Sequence, residues 1–264
     1  MNRIQYILLT LAFASVMSSP FAFADQQRAV LALWKMQPDQ YFDNPKEVQL
    51  ANAVATGDLR LAQQTLNNGV DPNHVGREGM TPLFWAISKQ NLDGFRWLLD
   101  HGANANTLTR WQTDSGQTEI ASALALTAVM KDSSYLQALL DHGGDPNVVT
   151  NDWEQTPIYA VIMRRGIDNV KLLIKYHADL NHQDKSLKTP MLEAVGARMY
   201  TIALLLLQSG ADPTLKDKWG YSTVDMVKRY GNRAVPRNSP DEAAYDQFVA
   251  ELKQRELLAE APRF

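Results

Sequence analysis

Apolar positions along the chain recur at two spacings at once. Within short stretches they fall at i, i+3 and i+4, as in Leu83, Ala86 and Ile87 and again in Phe95, Leu98 and Leu99, the stripe of a helix with one buried side. Over longer distances the whole pattern repeats. Helix ends read Leu98-Leu99-Asp100-His101-Gly102, Leu139-Leu140-Asp141-His142-Gly143, Leu173-Ile174-Lys175-Tyr176-His177 and Leu206-Leu207-Gln208-Ser209-Gly210. From Gly69 onward the steps between these ends are 33, 41, 34 and 33 residues. A hydroxyl residue stands 21 positions before each end, at Thr81, Ser122, Thr156 and Thr189. A near-constant period with one insertion of eight predicts stacked structural repeats.

Each landmark has a physical reason. Thr or Ser caps a helix by accepting a hydrogen bond from a free backbone N–H, and proline at the next position loses only an N–H that would be unpaired there. Thr81-Pro82, Thr156-Pro157 and Thr189-Pro190 therefore mark helix starts. Gly102, Gly143 and Gly210 suit the left-handed residue that ends the second helix, and the Asp/Asn/Pro stretches after them turn the chain into the next unit.

On these residues the sequence resembles the ankyrin repeat family, whose units carry D-x-x-G-x-T-P-L-H-x-A, a second helix and L-L-x-x-G-A-D-x-N. The resemblance covers about residues 46–230 and implies an all-α solenoid of stacked helix-turn-helix units with short hairpin-like loop tips and helical end caps. Five units are expected, near 46–75, 76–106, 107–147, 148–181 and 182–214, with a partial sixth from Asp217. Phe84, Ala125, Tyr159 and Leu192 stand where the family has histidine after T-P-L, so apolar packing is expected to replace that residue's polar link between units. His177 stands where glycine is expected.

The flanks complete the organisation. Residues 1–24 read as a secretory signal peptide: Arg3, an apolar run from Ile7 to Val16, and Ala22-Phe23-Ala24 as the cleavage site before Asp25. Ser18, Ser19 and Pro20 interrupt the run before it reaches the length of a membrane span. Residues 25–45, with a short helix from Ala29 to Met36, are expected to cap the first unit. Residues 231–264 are read as a linker and a terminal helix with a capping box at Ser239-Pro240-Asp241-Glu242 and an apolar stripe of Tyr245, Phe248, Val249 and Leu252.

Charge and cysteine narrow the function classes. The chain carries a net −3, and −4 once residues 1–24 are removed, so nothing suggests nucleic acid, which asks for a basic excess. Cysteine is absent, so a disulfide framework and a lipoprotein attachment site are both excluded. The periplasm is the expected location, with secretion beyond it as the alternative.

No catalytic set is read from the sequence, and no cofactor or metal is expected. His101 and His142 share one repeat position in the last turn of a second helix, where a partly positive ring meets the negative helix end. His177 and His182, with Asp179 and Asp184 near, are the one conceivable metal cluster and lack a third convergent ligand. A hydrolase or metal-binding protein built on them is the weaker rival reading.

The resemblance implies that binding uses the loop tips and the exposed side of the first helices. The candidate partner-binding residues are Arg77, Trp85, Arg110, Trp111, Trp153, Glu154, Lys188 and Trp219, with Lys89, Lys131, Arg164, Arg165 and Arg198 as a basic ridge at the first-helix ends. Trp and Arg are the residue types that dominate binding hot spots. The expected partner is another protein, with neither nucleic acid nor membrane insertion after signal removal, and the free chain is expected to be a monomer. The leading function is inhibition of a secreted toxic enzyme by an immunity protein; the rival in the same class is an assembly or stabilising factor for a resident periplasmic enzyme.

Overall fold

The structure, a computed structural model, describes residues 36–112, 118–149, 153–231 and 239–258, with the side chains of residues 110–119 outside that description. The expected signal peptide and the body of the helix expected from Ala29 fall on residues outside it. The chain divides into two compact units, residues 1–151 and 152–264.

In the first unit, α1 (Pro45–Thr56) and α2 (Leu59–Asn67) form one helical pair, α3 (Pro82–Ser88) and α4 (Leu92–Asp100) the next, and α5 (Ala123–Ala128) and α6 (Ser134–Asp141) the third. First helix packs on first helix (α1 on α3) and second on second (α4 on α6). Leu50, Leu83, Ile87, Leu98, Leu124 and Leu136 form the buried seam between them. Each such side chain contributes about 1.5–3 kcal/mol by leaving water, both within its own helical pair and against the neighbouring one.

The predicted caps form at Thr81, whose Oγ accepts from the Phe84 N–H at 3.2 Å, and at Ser122, which accepts from Ala125 at 2.9 Å. The expected eight-residue insertion does more than lengthen a loop: β1 (Leu108–Gln112) pairs antiparallel with β2 (Thr118–Ser122), placing Leu108 opposite Ser122.

Residues 36–44 act as the first unit's own tip. Tyr41 and Phe42 are buried, Asn44 caps α1 by accepting from the Lys46 N–H at 3.0 Å, and the Tyr41 carbonyl accepts from the Arg77 N–H at 2.7 Å.

The second unit holds the pairs α7 (Pro157–Met163) with α8 (Ile167–Lys175) and α9 (Pro190–Gly196) with α10 (Tyr200–Gln208), then α11 (Thr223–Tyr230) and α12 (Pro240–Gln254). Here α7 packs on α9 and α9 on α11, while α8 packs on α10 and α10 on α12. The terminal helix thus sits where the second helix of a sixth repeat belongs. Its stripe is buried as expected at Tyr245, Phe248 and Leu252, with Tyr245 edge-on to Tyr200 at 4.8 Å between ring centres.

Three local expectations are corrected. Thr156 opens α7 without a side-chain cap. Ser239 makes no side-chain cap; instead the Asp241 carboxylate turns onto α10, accepting from the Thr201 N–H at 2.9 Å and hydroxyl at 3.0 Å and from Arg165 at 3.2 Å. The capping box forms at Ser222 and Asp225 of α11. The polar link between repeats is also retained at Tyr159, whose hydroxyl reaches the carbonyl oxygens of His182 at 2.6 Å and Lys188 at 2.7 Å in the next repeat. A phenol is long enough to do from that position what a shorter ring does in the family pattern. His177 takes the left-handed conformation expected of glycine there, with φ 61°.

Candidate protein-interaction surface

The tips of successive repeats are joined through their backbones. In the second unit the Lys185 N–H donates to the Trp153 carbonyl at 2.9 Å, and the Lys218 N–H donates to the Ser186 carbonyl at 2.9 Å. Arg77 and Tyr41 occupy the corresponding positions in the first unit and make the same bond. Lys185 and Lys218 lie four residues before the hydroxyl residue that opens the first helix of their repeat, and Trp153 and Trp219 three before theirs.

Two of these tips are closed from within by an aspartate. Asp184 Oδ1 accepts from the N–H groups of Ser186 (2.8 Å) and Lys188 (3.0 Å), and Asp217 Oδ1 from those of Trp219 (2.9 Å) and Tyr221 (3.0 Å). Asparagines stitch the opposite, exit turns: Asn73 donates to the Gly102 carbonyl and accepts from the Asn104 N–H, and Asn106 does the same with Gly143 and Asp145. Side chains on such tips are carried by backbone that has little freedom left to lose on binding.

The family model for "Ankyrin repeats (3 copies)" matches residues 50–128 and 124–217. The chain belongs to the ankyrin-repeat family. Among curated relatives it is 34% identical over 103 residues to the ankyrin repeat, SAM and basic leucine zipper domain-containing protein 1 of Carollia perspicillata, covering 39% of this chain and 21% of that protein. It is 28% identical over 142 residues to the putative ankyrin repeat protein L371 of Acanthamoeba polyphaga mimivirus, covering 54% of this chain and 18% of that one. The chain thus spans about a fifth of the length of these relatives.

Among solved structures it is similar to an ankyrin repeat domain from Acinetobacter baumannii AYE, with a TM-score of 0.59 and 24% identity over 76% of this chain and 97% of that one. It is also similar to the ankyrin repeat domain of Bcl-3, with a TM-score of 0.58 and 19% identity over 83% and 92%. The fold is therefore the all-α ankyrin solenoid, and ankyrin repeats are protein–protein interaction modules.

Against this ankyrin frame the predicted site residues separate. Trp153 and Trp219 stand out from their tips, 58% and 59% exposed, and Glu154 is exposed beside Trp153. Trp85 is corrected: it is 1% exposed, packed against Tyr41 and Phe42, because residues 36–44 cover that side of α3. Lys89 is drawn into the same cluster, its Nζ 4.6 Å from the Trp85 ring centre and 2.9 Å from the Met36 carbonyl, and burial lowers its pKa.

Arg77 is paired with Asp43, and Lys188 with Glu193 at 3.5 Å. Arg165, in the turn between α7 and α8, pairs with Asp241 of α12, while Arg164 is half-buried and its pKa is lowered by burial. Lys131 and Arg198 are exposed. The basic ridge thus loses Lys89 and Arg165 to intramolecular partners. The side chains of Arg110 and Trp111 lie outside the described residues.

Residues that sequence reasoning missed adjoin the two tryptophans. Leu187 is 48% exposed at the tip between them, and Tyr221 (39%) and Tyr230 (47%) flank Arg229, which donates to the Tyr221 hydroxyl at 2.9 Å. The signal for Leu187 was its repeat position, which it shares with Gly220. No group of three or more His, Asp or Glu side chains able to hold a metal occurs among the described residues, and His182 Nε2 instead meets the Glu154 carbonyl at 2.5 Å. His101 and His142 end their helices as expected, with Nδ1 on the Trp97 and Ala138 carbonyls at 2.8 and 2.7 Å.

Proposed function

We propose that this chain is exported to the periplasm and there binds and inhibits a toxic enzyme, as an immunity protein does. Export is the reading of residues 1–24, with cleavage after Ala24. The observation that carries the binding reading is the pair Trp153 and Trp219, large rings held in solvent on tips that are hydrogen-bonded in series. Exposed tryptophan on a fixed backbone suits insertion into a partner's cleft, because little entropy is lost on docking.

The test joins location to activity. Cell fractionation with N-terminal sequencing is expected to find a periplasmic chain beginning at Asp25; a cytoplasmic chain retaining Met1 contradicts export. Residues 25–264 are then used to capture partners, and the captured enzyme is assayed with and without the chain. Lost enzyme activity, restored when Trp153→Ala/Trp219→Ala replaces the wild type, is the expected result. An enzyme that stays active and survives heating longer in the presence of the chain overturns inhibition in favour of a stabilising factor.

A further inference from the structure

The tips of the second unit alternate cation and apolar side chain in one connected strip. Backbone hydrogen bonds run from Trp153 to Lys185 and from Ser186 to Lys218; Lys216 pairs with Ser222 across the last hairpin; and Arg229 is bonded to Tyr221. The exposed apolar members, in order, are Trp153, Leu187, Trp219 and Tyr221, ending at Tyr230. The exposed cations are Lys185, Lys216, Lys218 and Arg229. Two of these are held beside rings: Lys218 Nζ is 4.5 Å from the Trp219 centre, and the Arg229 guanidinium is 5.5 Å from Tyr221 and 5.7 Å from Tyr230.

Among the described tip residues few carboxylates face outward beside these cations. Asp184 is 4% exposed and Asp217 is turned onto its own backbone, which leaves Glu154 as the outward carboxylate among the described tip residues. Exposed cations thus outnumber exposed carboxylates among the described tip residues, on a chain whose net charge is −3.

Leu187 stands at a turn position that is left-handed in several repeats, shared with Gly79, Glu154 and Gly220. Its φ is 57°, a left-handed conformation that costs a branched side chain about 1–3 kcal/mol, and Gly220 fills the corresponding place one repeat later without that cost. A leucine held there is 48% exposed and adds apolar surface to the strip.

Resting on the binding reading above, we infer that this strip takes an acidic segment of a partner protein in which carboxylates alternate with aromatic or aliphatic side chains. The partner's apolar groups cover Trp153, Leu187 and Trp219, and its carboxylates meet Lys185, Lys218 and Arg229 at the edges of those rings. A cation beside an aromatic face attracts a carboxylate while the ring buries the neighbouring apolar group, so charge and shape select together.

An array of random-sequence peptides probed with purified residues 25–264 tests this. Peptides rich in Asp and Glu beside Trp, Tyr, Phe or Leu are expected to bind, and to bind more weakly as salt rises. Their binding is expected to fall about tenfold or more with Lys185→Glu/Lys218→Glu and with Trp219→Ala, at unchanged helix content and melting temperature. Leu187→Gly is expected to weaken binding while raising the melting temperature, an outcome that a packing role for Leu187 does not give. Enrichment of basic or neutral peptides, preference for a single-stranded oligonucleotide, binding unaffected by the variants, or no enrichment over Lys185→Glu/Lys218→Glu each overturns the inference. A partner enzyme that is captured yet not inhibited defeats the immunity reading alone and leaves the peptide result standing.

Discussion

The hydroxyl of Tyr159 lies 2.6 Å from the carbonyl oxygen of His182, joining two repeats through the residue that replaces the family's histidine. Burial, reinforced by the nearby Asp184 carboxylate, pushes the phenol pKa far up, so the group remains a donor at all working pH values. Tyr159→Phe keeps the ring and removes the donor. It is expected to lower stability by about 1–3 kcal/mol, the cost of leaving a buried acceptor without its partner. Urea denaturation of wild type and variant measures this; equal midpoints would show that the bond contributes nothing net.

His142 links the ends of α6 and α4, with Nδ1 on the Ala138 carbonyl at 2.7 Å and Nε2 on Asp100 at 2.9 Å. Both bonds need a donor on the ring, and only the protonated imidazole supplies two. Its pKa is raised, first by the Ala138 carbonyl and then by Asp100 and Asp141 against the opposing effect of burial. A raised folded value means the stabilisation is complete below the ordinary value of 6.5 and is lost as pH rises through the higher folded value. The gap in urea midpoint between wild type and His142→Ala is therefore expected to be wider at acid pH than at alkaline pH. A gap that widens with rising pH would reverse the sign and contradict the assignment.

Asp241, at 8% exposure, fastens α12 to α10 with two acceptor bonds from Thr201 and to the turn between α7 and α8 with a third from Arg165. Replacing it with alanine strands the Thr201 N–H and removes a charge-assisted bond, expected to cost about 2–3 kcal/mol. Hydrogen exchange should then speed up first in α10 and α12. Faster exchange confined to α7 would locate the clasp elsewhere.

Gly94 sits in the first turn of α4 where that helix crosses α1, and a methyl group there would run into the Val54 carbonyl. Gly94→Ala is expected to destabilise the first unit by about 1–3 kcal/mol, because backbone cannot yield as a side chain can. Gly196→Ala, where a methyl meets nothing nearby, is the matched control and is expected to change little. Equal melting temperatures for the two variants would refute the close approach.

The repeat spacing made most of the scaffold legible, since Thr81 and Ser122 cap their helices and the Leu98, Leu139, Leu173 and Leu206 ends are buried as the stripe predicts. Side-chain reach was harder to read. Tyr159 looked like a lost link because the pattern records identity, whereas the bond depends on how far a hydroxyl extends. Trp85 looked available because nothing in the repeat says that residues 36–44 fold over it. Of the interaction strip, Trp153 and Trp219 were visible from residue type, while Leu187 and the Tyr221–Arg229 contact emerge only when the tips are joined in space.

Photo-crosslinking tests the central claim most directly. A benzophenone amino acid is placed in turn at Trp153, at Trp219 and at exposed Arg96 on the second-helix side, and cells producing the full-length chain are irradiated. Adducts to another protein from positions 153 and 219, and none from position 96, are the predicted result. Adducts from position 96 with none from the two tips would contradict recognition through this edge of the ankyrin array.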